Sequence, residues 1–133
     1  MKILKVLGAI LVAPLLCGQG FAVEIAGVSP ESKAASSVVR YLYALAGGNV
    51  EQMKESLAPA MLKGRDLQLS NPDYPHQLSE AYSQASFEIM DSELEATGEV
   101  RVDARIDLSG RDSVYCRFFL RETGGQFLIE REE

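Results

Sequence analysis

The sequence predicts an α+β domain in which three N-terminal helices pack on one face of a bent four-stranded antiparallel sheet. Apolar residues recur at helical spacing from about residue 30 to residue 85, and from Phe87 onward the period falls to two. Short glycine-bearing loops then separate the alternating segments, as hairpins require. With 133 residues, 47% hydrophobic and 24% charged, the chain has the composition of one globular domain. Its eleven Gly and five Pro show no period, which excludes collagen-like and low-complexity readings.

The N-terminus reads as an export signal. Lys2 and Lys5 precede an apolar run over 6–16 that is broken only by Gly8 and Pro14, too short for a membrane span. Gly20-Phe21-Ala22 supplies small residues at the third and first positions before a cut. The expected division is therefore a signal peptide over 1–22, a short linker over 23–29 and one domain over 30–133, with a periplasmic or secreted location and no transmembrane helix in the mature form. Lipidation at Cys17 is the alternative, although Leu16 stands where a small residue is needed. Beyond Ala22, eleven basic and nineteen acidic residues remain, a charge of −8 that argues against a nucleic acid ligand. Cys116 is then the single cysteine, so no internal disulfide forms, and its alternating apolar neighbours make it a small core residue.

Ser29-Pro30-Glu31 starts the first helix with a capping hydroxyl, a proline at the first helical position and an acid near the positive dipole end. Ala35, Val38, Leu42 and Leu45 form its stripe, widened by Val39 and Ala46, and Gly47-Gly48 ends it. Asn49 and Gln52 are spaced to open a second helix, whose apolar face runs Met53, Leu57, Met61 with Pro59 interrupting. The polar segment 63–76 reads as a loop with a short strand at 67–69, and a third helix is expected over 77–85.

The strands can be placed residue by residue. Val100, Val102, Ala104, Ile106 and Leu108 alternate with charged residues, as do Val114, Cys116, Phe118 and Leu120 with Tyr115, Arg117, Phe119 and Arg121. A three-residue loop Ser109-Gly110-Arg111 sets Ala104 opposite Cys116, Val102 opposite Phe118 and Asp103 opposite Arg117, so that apolar faces apolar. A two-residue turn Gly124-Gly125 places Ile129 opposite Leu120, with Phe127 on the same face. An Ala96-Thr97-Gly98 loop sets Leu94 opposite Val100 and Met90 opposite Ala104, and the phase slip at Phe87 and Ile89 calls for a β-bulge near 89–91.

Ser-Val-Val-Arg-Tyr-Leu-Tyr-Ala-Leu-Ala at 37–46, followed by Gly-Gly-Asn-Val-Glu-Gln-Met at 47–53, resembles the opening of the nuclear transport factor 2-like superfamily. Members begin with a helix ending in a Gly-Asp-like turn, and the order of elements is similar over nearly all of 30–131. Asn49 stands where an aspartate is common, a cap in both cases. The resemblance implies a cone-shaped domain whose apolar sheet face and helices enclose a pocket. Its members include isomerase-like and dehydratase-like enzymes, non-catalytic binding modules and small secreted proteins, so the fold leaves the activity open.

Chemistry-bearing patterns are sparse. His76 is the one histidine, and no His-x-x-His, Gly-x-Ser-x-Gly or phosphate-loop pattern occurs, so no catalytic residue, metal or cofactor is assigned. An isomerase-like site would have to draw on Asp73, Tyr74, His76 and Tyr82 with Tyr41 or Tyr43. Two binding features remain. Met53, Leu57, Met61 and Tyr82 are the candidate lining of a pocket for a small apolar ligand. Arg101, Arg105, Arg117 and Arg121, around Tyr115 and Phe119, are the candidate face for a homodimer or a protein partner. Three functions follow: an exported non-catalytic ligand-binding or accessory module, an interaction or inhibitor protein, and a cone-pocket isomerase or dehydratase.

Overall fold

Residues 28–108 and 112–133 are described by the structure, a computed structural model. The export signal over 1–22, the lipidation alternative at Cys17 and the loop at 109–111 lie outside the described residues. Among the described residues five helices precede the sheet: α1 (Pro30–Ala46), α2 (Val50–Glu55), α3 (Pro59–Gly64), α4 (Asp66–Leu69) and α5 (Tyr74–Tyr82). The strands β1 (Ser86–Leu94), β2 (Val100–Asp107), β3 (Ser113–Thr123) and β4 (Gln126–Glu132) form one antiparallel meander in sequence order.

The first helix begins and ends where its residues dictate. Ser29 Oγ accepts the Ser32 amide at 3.1 Å, and Pro30 opens the helix. At the other end the Asn49 amide donates to the Ala44 carbonyl (2.8 Å) and the Gly48 amide to that of Leu45 (3.1 Å), with Gly48 in the left-handed region at φ 68°. A Cβ at Gly48 would lie 2.4 Å from the Pro75 carbonyl oxygen, so glycine here is required twice, by conformation and by the close passage of α5. Asn49 caps α2 through the Gln52 amide; Gln52 returns its bond to the Asn49 side-chain amide rather than to the backbone.

Where three helices were expected, five form among the described residues. The second splits because Pro59 brings no amide donor, and the chain before it turns instead to the sheet: the Ile129 amide donates to the Ser56 carbonyl (2.8 Å) and the Ala58 amide to that of Ile129 (2.9 Å). The expected strand at 67–69 is the single turn α4, held by Ser70 Oγ on the Asp66 carbonyl (2.7 Å) with Leu69 buried. The helix expected over 77–85 starts earlier, at Tyr74, because Pro75 suits a first turn.

The sheet follows the predicted registers closely. Ala104 faces Cys116, Val102 faces Phe118, Asp103 faces Arg117, Leu120 faces Ile129 and Leu94 faces Val100. The first-strand bulge lies between Ile89 and Asp91. It places Ile89, not Met90, opposite Ala104, and leaves Met90 exposed. A second bulge, unforeseen, lies in β4, where Leu120 pairs with Ile129 but Phe119 pairs with Arg131. Val100, Val102, Phe118, Leu120 and Ile129 are fully buried against Val38, Tyr41, Leu42 and Met53. Among the described residues no helix is long and apolar enough to cross a membrane.

Candidate functional site

The second bulge decides which side chains reach the inner face at the end of β4. In an unbroken strand, strict alternation from Ile129 would turn Arg131 inward and Glu132 outward. The extra residue reverses this, setting Arg131 opposite Phe119 on the outer face and Glu132 opposite Phe118 on the inner one. There Glu132 meets Arg65, delivered by the junction of α3 and α4, with a nitrogen–oxygen distance of 2.5 Å. Arg65 also donates to the phenol oxygen of Tyr41 from α1 at 2.8 Å. Tyr41 is 2% exposed and packs edge-on against Phe118, ring centroids 5.9 Å apart.

The electrostatics follow from burial. The Tyr41 phenol is pushed up to about 12, chiefly because burial disfavours the phenolate; Arg65 opposes this and Glu132 and Tyr74 add to it. Burial pulls against the Arg65 guanidinium, but Tyr41 and Glu132 outweigh it and hold Arg65 above its ordinary value. Burial also raises the Tyr74 phenol and the Cys116 thiol, the latter with help from Glu132. Tyr41 therefore rests as a neutral phenol beside the Arg65 cation. The group is a positioned hydrogen-bonding cluster rather than a poised base.

The predicted site residues divide differently from expectation. Met53 and Leu57 are core residues at 0% and 2% exposure, and Met61 and Tyr82 pack against that core as partly buried side chains. Asp73 and His76 are exposed, His76 beside Glu80 at 3.5 Å on the solvent side of α5. Tyr43 is exposed and stacks edge-on against Phe87. No sequence pattern singles out Arg65 or Glu132. Arg65 sits in a stretch that reads as polar loop, and Glu132 is turned inward only by the bulge.

On the outer face the arginines are engaged. Arg101, its side chain 14% exposed, contacts Asp91, Glu93, Glu95 and Asp103; Arg105 contacts Glu88 and Asp107; Arg117 contacts Asp103 and Arg121 contacts Glu130. Arg131 joins them, its guanidinium 3.7 Å above the Phe119 ring and paired with Glu99 and Glu133. Among the described residues five arginines thus meet nine carboxylates, and the face is acidic rather than basic. A shallow hollow of about 460 Å³ crosses it, lined by Met90, Asp103, Tyr115, Arg117 and Glu133 with Ala104 and Cys116. Tyr115 stands out from it at 69% exposure.

The order of elements, the bent meander and the helix α1 laid across its inner face decide the fold. It is the nuclear transport factor 2-like fold. A solved structure of a designed protein of this fold, titled Rd1NTF2_05 with five substitutions, is similar with a TM-score of 0.55, at 18% identity over 77% of this chain and 97% of its own. No protein-family model and no curated protein matches the chain. At that identity the likeness is one of fold. Between the helices and the inner sheet face, Tyr41, Leu42, Met53, Phe118, Leu120 and Ile129, each at 2% exposure or less, belong to one core cluster. Among the described residues no three His, Cys, Asp or Glu side chains converge as a metal site.

Proposed function

We propose that the protein is an exported, non-catalytic accessory module that works through its surface, with the cone interior serving as its own core. The observation that carries this is the occupied interior: the side chains that would line a pocket are packed on one another, and the Arg65 guanidinium beside them is taken by Tyr41 and Glu132. The acidic outer sheet with its exposed Tyr115 fits a basic protein partner, for which complementary charge sets the encounter rate more than the final affinity. Native mass spectrometry of the protein taken gently from its own envelope fraction tests the reading. A co-purified protein, with no small adduct and released as salt is raised toward 0.5 M, is the expected result. An adduct of a few hundred daltons on the monomer would overturn it. The same spectrum reads the mature start, Val23 against a lipid-bearing Cys17.

A second reading has one observation in its favour. The Arg65 and Glu132 side chains remain about one quarter exposed, at 25% and 27%, so an apolar ligand bearing a carboxylate could displace Glu132 from the guanidinium. Glu132→Gln would then strengthen capture of such an adduct; unchanged adduct mass and occupancy in that variant would remove this reading.

A further inference from the structure

Away from the cone opening, α1 carries a second cluster. Lys33, Ser36, Ser37 and Arg40 recur at three- and four-residue intervals and share one helix face. That face lies against the β3–β4 turn, and the two border a cleft of about 220 Å³ whose lining includes Lys33, Ser36, Ser37 and Arg40 beside the apolar Val28 and Phe127. A smaller recess adjoins it through Arg40 and Gln126, with Glu55 on its far wall.

Arg40 in this cleft differs from the other described arginines in its ion pairing. Every other described arginine, at 65, 101, 105, 117, 121 and 131, has a carboxylate within ion-pair distance. Arg40 and Lys33 have none among the described residues. Arg40 instead donates to Ser37 Oγ at 3.2 Å, which fixes its guanidinium over the cleft, and Ser37 is itself buried. Ser36 makes no side-chain hydrogen bond among the described residues, so its hydroxyl is free to donate. The β3–β4 turn lines the other side with Gly125, Gln126 and Phe127, and at Gly125, at positive φ, a Cβ would meet nothing within 4 Å. An anion can therefore approach the backbone at Gly125 without hindrance from a side chain of that residue.

We propose that this cleft binds a phosphate group, held by the Arg40 fork, the Lys33 ammonium and the Ser36 hydroxyl. A tetrahedral, multiply charged oxyanion takes donors from several directions at once. A planar guanidinium, a point charge and a hydroxyl supply them on an otherwise acidic surface. The phosphate is either free or part of a lipid headgroup, since both present the same oxygens.

Titration of the protein with inorganic phosphate, followed by amide NMR at ionic strength held constant with chloride, tests this. Saturable shifts confined to residues 33–40 and 124–127 are expected. Arg40→Gln should weaken binding about tenfold and Lys33→Gln should also weaken it, whereas Arg121→Gln should leave it unchanged. Arg40 and Lys33 are exposed, and spectra unchanged elsewhere report that the variants remain folded. Absence of saturable shifts there, affinity undiminished in both variants, or saturation by succinate and not by phosphate would overturn the proposal. Sedimentation with phosphatidylglycerol vesicles separates the sources. Vesicle binding that excess phosphate displaces and Arg40→Gln abolishes assigns a headgroup, and phosphate binding without vesicle binding assigns the free ion.

Discussion

The Tyr41 oxygen is buried with one guanidinium as its partner, and that single bond ties α1 to the α3–α4 junction and, through Glu132, to the last strand. Tyr41→Phe keeps the ring against Phe118 and deletes the bond, so it should cost about 1–2 kcal/mol at pH 7 in urea unfolding. The same variant isolates a pH effect. The folded state holds the phenolic proton up to about pH 12, whereas the unfolded chain releases it near its ordinary value of 10. Stability is therefore complete below pH 10 and falls between pH 10 and 12, by about 2–3 kcal/mol in all. Tyr41→Phe should remove that alkaline slope; an equal slope in both proteins would assign it to other groups. Ser92 is the converse case. It is 3% exposed on the inner face opposite Val102, and its hydroxyl finds no partner among the described residues. Ser92→Ala should leave the urea midpoint unchanged or raise it, by up to about 1 kcal/mol, because no hydrogen bond is lost with the hydroxyl.

Between elements, the turn from α1 to α2 sets the position of α5. Gly48→Ala combines positive φ with a Cβ pressed on the Pro75 carbonyl, and backbone cannot yield as a side-chain tip does. A loss of about 1–3 kcal/mol is expected, read as a fall of several degrees in Tm. On the outer sheet, Arg101 is the one partner shared by four carboxylates. Arg101→Gln removes the charge that these four acids share and should cost about 2 kcal/mol at pH 7, read as a lower urea midpoint. These elements also mark what sequence could and could not reveal. Alternation fixed the pairings of Ala104 with Cys116 and Leu120 with Ile129 because a one-residue slip would have turned every apolar side chain to water. It could not find the bulge in β4, since Glu130, Arg131 and Glu132 are all charged and carry no apolar phase. The Arg65–Glu132 pair was hidden with it. Pro59 was visible as an interruption, but its consequence, a separate helix and a strand-like contact at Leu57, depends on the sheet edge waiting beside it.

For the molecule as a whole, stability is graded across the sheet. The inner residues of β2 are all at 4% exposure or less, and the bulged β1 carries exposed Met90 and Leu94. Hydrogen exchange should find the amides of β2 and central β3 slowest and those flanking the β1 bulge fastest within the sheet; uniform protection would contradict this gradient. Most of the inner packing is apolar and was readable as such, and on the outer face the Asp103–Arg117 pair was readable too, whereas the number of carboxylates around the other arginines emerges only with the folded register. The short contact of residues 56–58 with Ile129 bears on a different hazard. A sheet's outermost strand offers unpaired amides and carbonyls on which another chain can polymerise. Here the Ile129 donor and acceptor are already consumed from within the same chain, and Pro59, which follows at once, cannot extend the ladder. The opposite border, β1, is kinked by its bulge, which interrupts the regular ladder that a second chain would have to match. Both borders are thereby closed to strand-by-strand growth, a safeguard against fibrils for a small domain held together without a disulfide among its described residues.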